Sequence, residues 1–261
     1  MPMGEFILDR WIVKAIKQIC LEKDISLTSY SDDWLLELSK DGAVQRILGY
    51  KFPLNSGVSA QTAEDKVAAY TILSSRQVPA VPHALVRTKT GLYDEWLKNG
   101  WKDIVVKPLI GTSGYGVRRF HDSTEASTWI DQQSDDGWAV SPFVDIKREI
   151  RLIILDNEIL LTYEKQPVML NNLLMFNLGL GATPKDITVS EEIKDLALKA
   201  SQALQLRLAA IDVIELKDGS YQILEINDGV MMEHYVQVSP EYKAAGYKVY
   251  QAIVEALFPT K

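Results

Sequence analysis

The 261-residue chain has a single cysteine, Cys20. One thiol can build neither an intrachain disulfide framework nor a multi-cysteine metal site, and such scarcity fits a reducing compartment. Cys20 itself reads as a packing residue on a helix. No stretch approaches the ~18 apolar residues of a membrane span. The N-terminus, interrupted by Glu5, Asp9 and Arg10, lacks a secretory apolar region. Nor is there a basic excess: 28 basic residues stand against 35 acidic ones, a net charge of -7, which argues against a nucleic-acid-coating surface. Internal repeats and low-complexity tracts are also missing. These absences lead us to expect a cytoplasmic chain whose partners include neither nucleic acid nor membrane.

What is present suffices for a sizeable core, with 47% hydrophobic residues in a length that suits one large domain or two or three small ones. Helical spacing of Trp11, Ile12, Ala15, Ile16 and Ile19 predicts a helix over 9–21, followed by short strands over 25–30, 34–39 and 43–50. Proline, asparagine, serine and glycine then cluster over 53–57. Beyond them we expect a helix over 62–76, strands over 81–86, 104–107 and 117–120, a helix over 122–133 capped by Asp122 or Ser123, and a strand over 138–144. The last part reads as hairpins over 149–163 and 209–227, separated by an asparagine- and glycine-rich loop over 171–184 and a capped helix over 190–204. Ser239-Pro240-Glu241 opens a final helix. Three units follow: 1–57, 58–144 and 145–261.

The run IVVKPLIGTSGYGV over 104–117 carries the first chemical signal. An apolar strand ends on Lys107 and opens into Gly111, Thr112, Ser113, Gly114, Tyr115 and Gly116, a fixed positive charge at the mouth of a backbone cradle suited to nucleotide phosphates. A Walker loop places its lysine after the glycines, and a dinucleotide fingerprint needs a following helix; neither context is met. A glycine-rich hairpin without function is the alternative these residues leave open. Glu225 and Asn227, at alternate positions of one strand, face one way, and Asp212 lies on the partner strand in an apolar surround where an acid is expensive to bury without a cation. Three oxygen donors on one hairpin suit Mg²⁺, against the plainer reading of a solvated sheet face. Of the three histidines, His83 and His121 read as ordinary, whereas His234 follows Glu233 in a loop and is a candidate substrate contact.

Taken in order, Asp65-Lys66, Val105-Val106-Lys107-Pro108, residues 111–116, Glu149-Ile150-Arg151, Ile211-Asp212-Val213 and Leu224-Glu225-Ile226-Asn227 resemble the ATP-grasp carboxylate–amine ligases over about 59–227. The resemblance implies an α/β (α+β) ATP-grasp fold: two α+β subdomains sandwich the nucleotide behind a shortened N-terminal pre-grasp unit. The first subdomain would be the lid and the second would carry the metal. It implies that Lys66 and Lys107 hold phosphates of ATP and that the glycine loop is the phosphate lid. Ser141, Pro142, Phe143 and Val144 would form the adenine hinge, Glu149 would lie near the ribose, and Arg151 would face the phosphates. Asp212, Glu225 and Asn227 would ligate one or two Mg²⁺ ions, with Mn²⁺ as a substitute.

Some positions depart from the pattern. Pro142 stands where many members have an acid. Asn177 fits an expected asparagine, but Met175 and Leu180 flank it where an arginine is usual, leaving Lys165 to supply the charge. Asp228 and Gly229 open an altered acceptor loop that runs to His234. The implied activity joins a carboxylate of an amino acid or peptide to an amine through an acylphosphate, releasing ADP and phosphate. Lys107, Arg151 and Lys165 would be the catalytic cations. A kinase on the same fold and an inactive nucleotide-binding module are the alternatives. A homodimer partner or a protein substrate would complete the pocket left by the short leading unit.

Overall fold

The structure, a computed structural model, describes residues 9–111, 116–133, 137–170 and 173–259. It opens with α1 (Trp11–Glu22), whose Ile12, Ala15, Ile16 and Ile19 line one buried face. An antiparallel meander follows, β1 (Ser26–Tyr30), β2 (Leu35–Lys40) and β3 (Ala43–Leu48). Between β2 and β3, Asp41 and Gly42 both have positive φ, 50° and 80°, matching the strand twist that a two-residue hairpin turn requires.

The helix expected over 62–76 is two helices, α2 (Gly57–Glu64) and α3 (Lys66–Ser75). Asp65 breaks them: its carboxylate accepts hydrogen bonds from the backbone N–H groups of Val67 at 3.0 Å and Ala68 at 2.9 Å, acting as N-cap of α3. Lys66 thereby becomes the first residue of a new helix.

The middle of the chain builds a four-stranded antiparallel sheet in the order β4-β7-β5-β6. Its elements are β4 (Ala84–Val86), α4 (Lys89–Asn99), β5 (Ile104–Pro108), β6 (Arg118–Phe120), α5 (Ser123–Asp131) and β7 (Trp138–Pro142). Helix α4 was not expected, because only Leu92 and Trp96 anchor it. Its ends carry ordinary signals all the same: Thr88 caps the start and Gly100, at φ 62°, closes it in the left-handed region. One face of this sheet packs Val86, Ile104, Val106 and Val140 against α4 and α5.

The remainder forms β8 (Ile146–Leu155), β9 (Glu158–Gln166), β10 (Val168–Leu170), β11 (Leu173–Met175), a 3-10 turn at Leu178–Leu180, β12 (Thr183–Asp186), α6 (Glu191–Ala203), β13 (Leu208–Leu216), β14 (Tyr221–Asn227), α7 (Glu233–Val236) and α8 (Pro240–Leu257). A five-stranded antiparallel sheet runs β12-β9-β8-β13-β14. Residues 171–184 are therefore not simply a loop. Within the described part, β11 pairs with β10, and β12 joins the sheet edge beside β9. Such a short edge strand takes its structure from a neighbour distant in sequence. Among the described residues, no helix is long and apolar enough to cross a membrane.

Alternation along the five-stranded sheet gives it two apolar faces. Ile150, Leu152, Ile154, Ala209, Ile211 and Val213 point to one, where they meet α6 and also α2 and α3. The helices grouped by sequence with the glycine-loop unit thus pack on the C-terminal sheet. Ile153, Leu155, Leu208 and Ala210 point to the other face and share a core with α1, the meander and α8. On that second face the apolar run stops abruptly. The next same-face positions after Ile153 and Ala210 are Arg151 and Asp212, which are register partners.

Because α1 belongs to the same core as the sheet, Ile16→Ala, at a fully buried site, is expected to cost about 2–5 kcal/mol. A lower urea midpoint in far-UV circular dichroism would register this; an unchanged midpoint would show that the leading helix does not help hold the sheet.

Candidate active site

The second face of the four-stranded sheet carries Val105, Lys107, Arg119 and Ser141, since Val105 is the register partner of both Arg119 and Ser141, and Lys107 lies two residues on. The glycine loop leaves this sheet after Pro108. A Cβ built on Gly111 would lie 3.5 Å from Pro108 Cβ, and one built on Gly116 would lie 3.0 Å from Pro108 Cγ. Gly116 also has φ 74°. The loop's two ends close over one proline ring, and the second end requires glycine both for space and for backbone conformation. Thr112, Ser113, Gly114 and Tyr115 lie outside the described residues.

Lys66 connects the loop to the other sheet. Its Nζ donates to the Gly111 carbonyl oxygen at 3.0 Å and stands 3.6 Å from Glu225 Oε1. Burial pushes the nearby Lys107 ammonium down to about 8, with Glu225 opposing the shift and Lys66 adding to it. Glu225 is the register partner of Asp212, and Asn227 that of Ala210, so Asp212, Glu225 and Asn227 occupy one sheet face. An irregularity in the ladder follows immediately, between Asp212 and Val213.

Asp212 does not present a free carboxylate. Arg151 grips it through Nε at 2.8 Å and Nη2 at 2.6 Å, and Lys165 Nζ lies 2.9 Å from Oδ1. Lys165 also donates to Glu149 at 2.5 Å. Burial alone would raise the Asp212 carboxyl, but Arg151 and Lys165 outweigh it and hold the group below the usual carboxylate range. Each of these expected site residues has an ion-pair partner within the sheet face: Glu149 pairs with Lys165, Arg151 with Asp212, and Lys165 with both acids. The cause is the same in each case: a charge buried on this face needs a partner within hydrogen-bond reach.

The donor set of two carboxylates and an amide oxygen on one face suits a hard divalent cation, with Glu225 and Asn227 as its accessible members. No cluster of three or more His, Cys, Asp or Glu side chains placed to hold a metal occurs among the described residues.

At the hinge, Ser141 is buried at the end of β7 with Pro142. The Phe143 N–H donates to the Asp103 carbonyl oxygen at 2.9 Å, so that donor is used within the fold; Val144 follows directly in the chain. The Arg119 guanidinium stacks on the Phe143 ring at 3.4 Å from its centroid. Sequence reading missed Arg119 and also His83. His83 is buried, and its Nδ1–H donates to the Val81 carbonyl oxygen at 2.9 Å, while Nε2 has no partner among the described residues. Burial, reinforced by Lys107 and Lys66, holds this imidazole neutral. A single histidine after a proline gives no sequence signal for such a position.

Among the residues expected to contact substrate, the Asn177 side chain accepts from the Gly179 N–H at 2.7 Å, and a Cβ on Gly179 would lie 3.1 Å from both Asn177 Oδ1 and His234 Nε2. Asp228 is buried, with Lys51 Nζ 3.5 Å away; Lys51 also pairs with Glu64. Gly229 bridges to Lys51 in backbone pairing, and the Val230 N–H donates to the Tyr50 carbonyl oxygen at 3.0 Å. Glu233, buried, accepts from the backbone N–H groups of Trp11 at 2.7 Å and Ile12 at 3.1 Å. The leading unit is thus stitched to the loop after β14.

Comparison with known proteins gives a profile match to the RimK-like ATP-grasp domain over residues 63–244. A probable alpha-L-glutamate ligase of Rhodopirellula baltica is 25% identical over 166 residues, covering 62% of this chain and 40% of the relative. The glutamate–LysW ligase ArgX of Sulfolobus acidocaldarius is 26% identical over 167 residues, covering 61% and 58%. The chain therefore matches less than two thirds of the length of these relatives. Among solved structures, the ATP-grasp ligase PsnB complexed with minimal precursor, Mg and ADP superposes with a TM-score of 0.56 at 17% identity, covering 76% of this chain and 61% of that one.

Burial of Lys107 has a measurable consequence for stability. Its folded pKa, about 8, lies below the ~10.4 of an unfolded lysine, so between these values the unfolded state binds more protons and stability rises with pH. Below pH 8 the cost of burying the charge is fully present. Lys107→Met is expected to exceed the parent by about 1–3 kcal/mol in urea unfolding at pH 7, with the difference shrinking toward pH 10. A difference independent of pH would refute the assignment.

Proposed function

This chain belongs to the RimK-like ATP-grasp family, and we propose that it is an ATP-dependent carboxylate–amine ligase acting on an amino acid or peptide. The observation that carries this reading is the position of Lys66, which touches the foot of the glycine loop at Gly111 and faces Glu225 on the opposite sheet. Cations and oxygen donors drawn from distant parts of the chain meet there, as binding of a metal-bound triphosphate requires. The relatives named as glutamate ligases favour an amino-acid substrate, and the one named for LysW favours a protein or peptide as the other.

In the proposed reaction, a carboxylate substrate takes the γ-phosphoryl group of ATP: an oxygen–phosphorus bond forms as the bond to the β,γ-bridging oxygen breaks, leaving ADP. An amine then forms the carbon–nitrogen bond as the acyl carbon–oxygen bond to phosphate breaks, and the nitrogen gives up its proton. Lys66 and Lys107 neutralise phosphate oxygens as charge moves toward ADP, and the glycine loop keeps water from the activated carboxylate. Glu225 and Asn227 would hold a divalent cation, with Asp212 held by Arg151 and Lys165 behind them, and a cation bound there would neutralise phosphate charge. The hinge at Ser141, Pro142, Phe143 and Val144 would wall the adenine. Asn177, Asp228, Gly229 and His234 would line the acceptor side.

A nucleotide-binding module without ligase activity is a second reading, favoured by the ion pairs that hold Lys165 to Glu149 and Asp212. One experiment separates the readings. The chain is incubated with ATP, Mg²⁺ and pooled amino acids and dipeptides while phosphate release and product mass are followed. A ligase yields free phosphate in step with an amide, a kinase leaves phosphate on its acceptor, and a module yields no ADP. Lys107→Ala and Glu225→Ala are each expected to lower amide formation at least ~100-fold, and undiminished activity in both would overturn the site.

A further inference from the structure

The buried ions around Asp212 form a closed electrostatic group. Glu149, Lys165 and Asp212 have side chains only 7%, 6% and 3% exposed, and Arg151 completes the set. Two cations and two carboxylates sum to zero. Without the Glu149 charge, Asp212 would face Arg151 and Lys165 alone, leaving a surplus positive charge beneath the face shared with Glu225 and Asn227. Such a surplus would repel a divalent cation and attract phosphate directly. Register also keeps Glu149 off the cation site. It pairs across β8 with Lys165 of β9 and with Ile214 of β13, while Asp212 stands between it and Glu225.

We propose that Glu149 is a positioning residue that fixes Lys165 against Asp212 and balances its charge, so that nucleotide binding on this face depends on a divalent cation. The inference rests on the nucleotide-binding reading above and assigns Glu149 a role distinct from ribose contact. Glu149→Gln keeps an acceptor for Lys165 while removing the charge, which makes it the informative variant. Combined with Lys165→Met, it returns the group to neutrality.

The test measures Mn²⁺ binding by electron paramagnetic resonance and ADP or 2′-deoxy-ADP binding by calorimetry, with and without metal. Near-ultraviolet circular dichroism of each variant verifies folding. Glu149→Gln is expected to weaken Mn²⁺ about tenfold and to strengthen metal-free ADP several-fold. The double variant should return both to within about threefold of the parent, and Glu149→Asp, which keeps the charge, should retain the parent's Mn²⁺ affinity. Unchanged Mn²⁺ affinity in Glu149→Gln overturns the proposal. So does a loss of ADP binding that 2′-deoxy-ADP does not share, which would make Glu149 a ribose ligand. If the parent chain binds no ADP at all, the functional reading fails first and takes this inference with it.

Discussion

One face of the five-stranded sheet must serve two solvents. Toward Ile153, Leu155, Leu208 and Ala210 it packs apolar side chains against α1 and α8; two residues further along the same strands it carries Arg151 and Asp212. Both halves are shielded from water, so the charged half is stable only if its ions find each other. The Arg151–Asp212–Lys165–Glu149 group satisfies that condition, and Tyr163, buried beside Tyr235 with ring centroids 4.8 Å apart, marks where the apolar half begins. Much of the site follows from this boundary. It gives this part of the sheet a charged floor of paired ions, and it leaves Glu225 on the neighbouring strand more exposed than Asp212 or Glu149.

Much of the fold was legible because most elements declare themselves locally. Alternating or helically spaced apolar residues located the meander, the paired hairpins and the long helices, and Ser190, Ser239 and Asp122 sit as N-caps where their side chains predict. The misses are elements whose stability comes from elsewhere. Helix α4, with only two buried anchors, was one of them, whereas α1 was located by its apolar spacing even though Arg10 gives it no side-chain cap and its first N–H groups are met by Glu233, more than two hundred residues away. Strand β12 exists because β9 offers an edge. At Asp65 the reverse holds: a local capping preference breaks what apolar spacing alone reads as one helix.

The site divides along the same line. Lys107 and the glycine run announce themselves, because a lone lysine at the end of an apolar strand and a sequence-adjacent loop are local features. Lys66 was visible only through family resemblance, since a helix lysine is unremarkable until the fold brings Gly111 and Glu225 to it. The residue types of the charged floor were legible, but their pairing was not. Alternation places Glu149 and Arg151 on one face and Asp212 on another strand; it cannot say that Arg151 will take both Asp212 oxygens or that Lys165 will bridge two acids. Those choices are made by strand register, which depends on the whole sheet.

The leading helix and meander are tied to the loop after β14 at three points. Glu233 caps α1, Tyr50 receives the Val230 N–H, and Lys51 sits between Glu64 and Asp228. Each tie joins the first 57 residues, or α2 just beyond them, to the segment that follows the Glu225–Asn227 strand. Lys66, Lys107 and Glu225, by contrast, stand on α3, β5 and β14. None of them takes part in the three ties, so the segment after β14 can be altered through the leading unit without removing a partner of the group proposed to bind nucleotide.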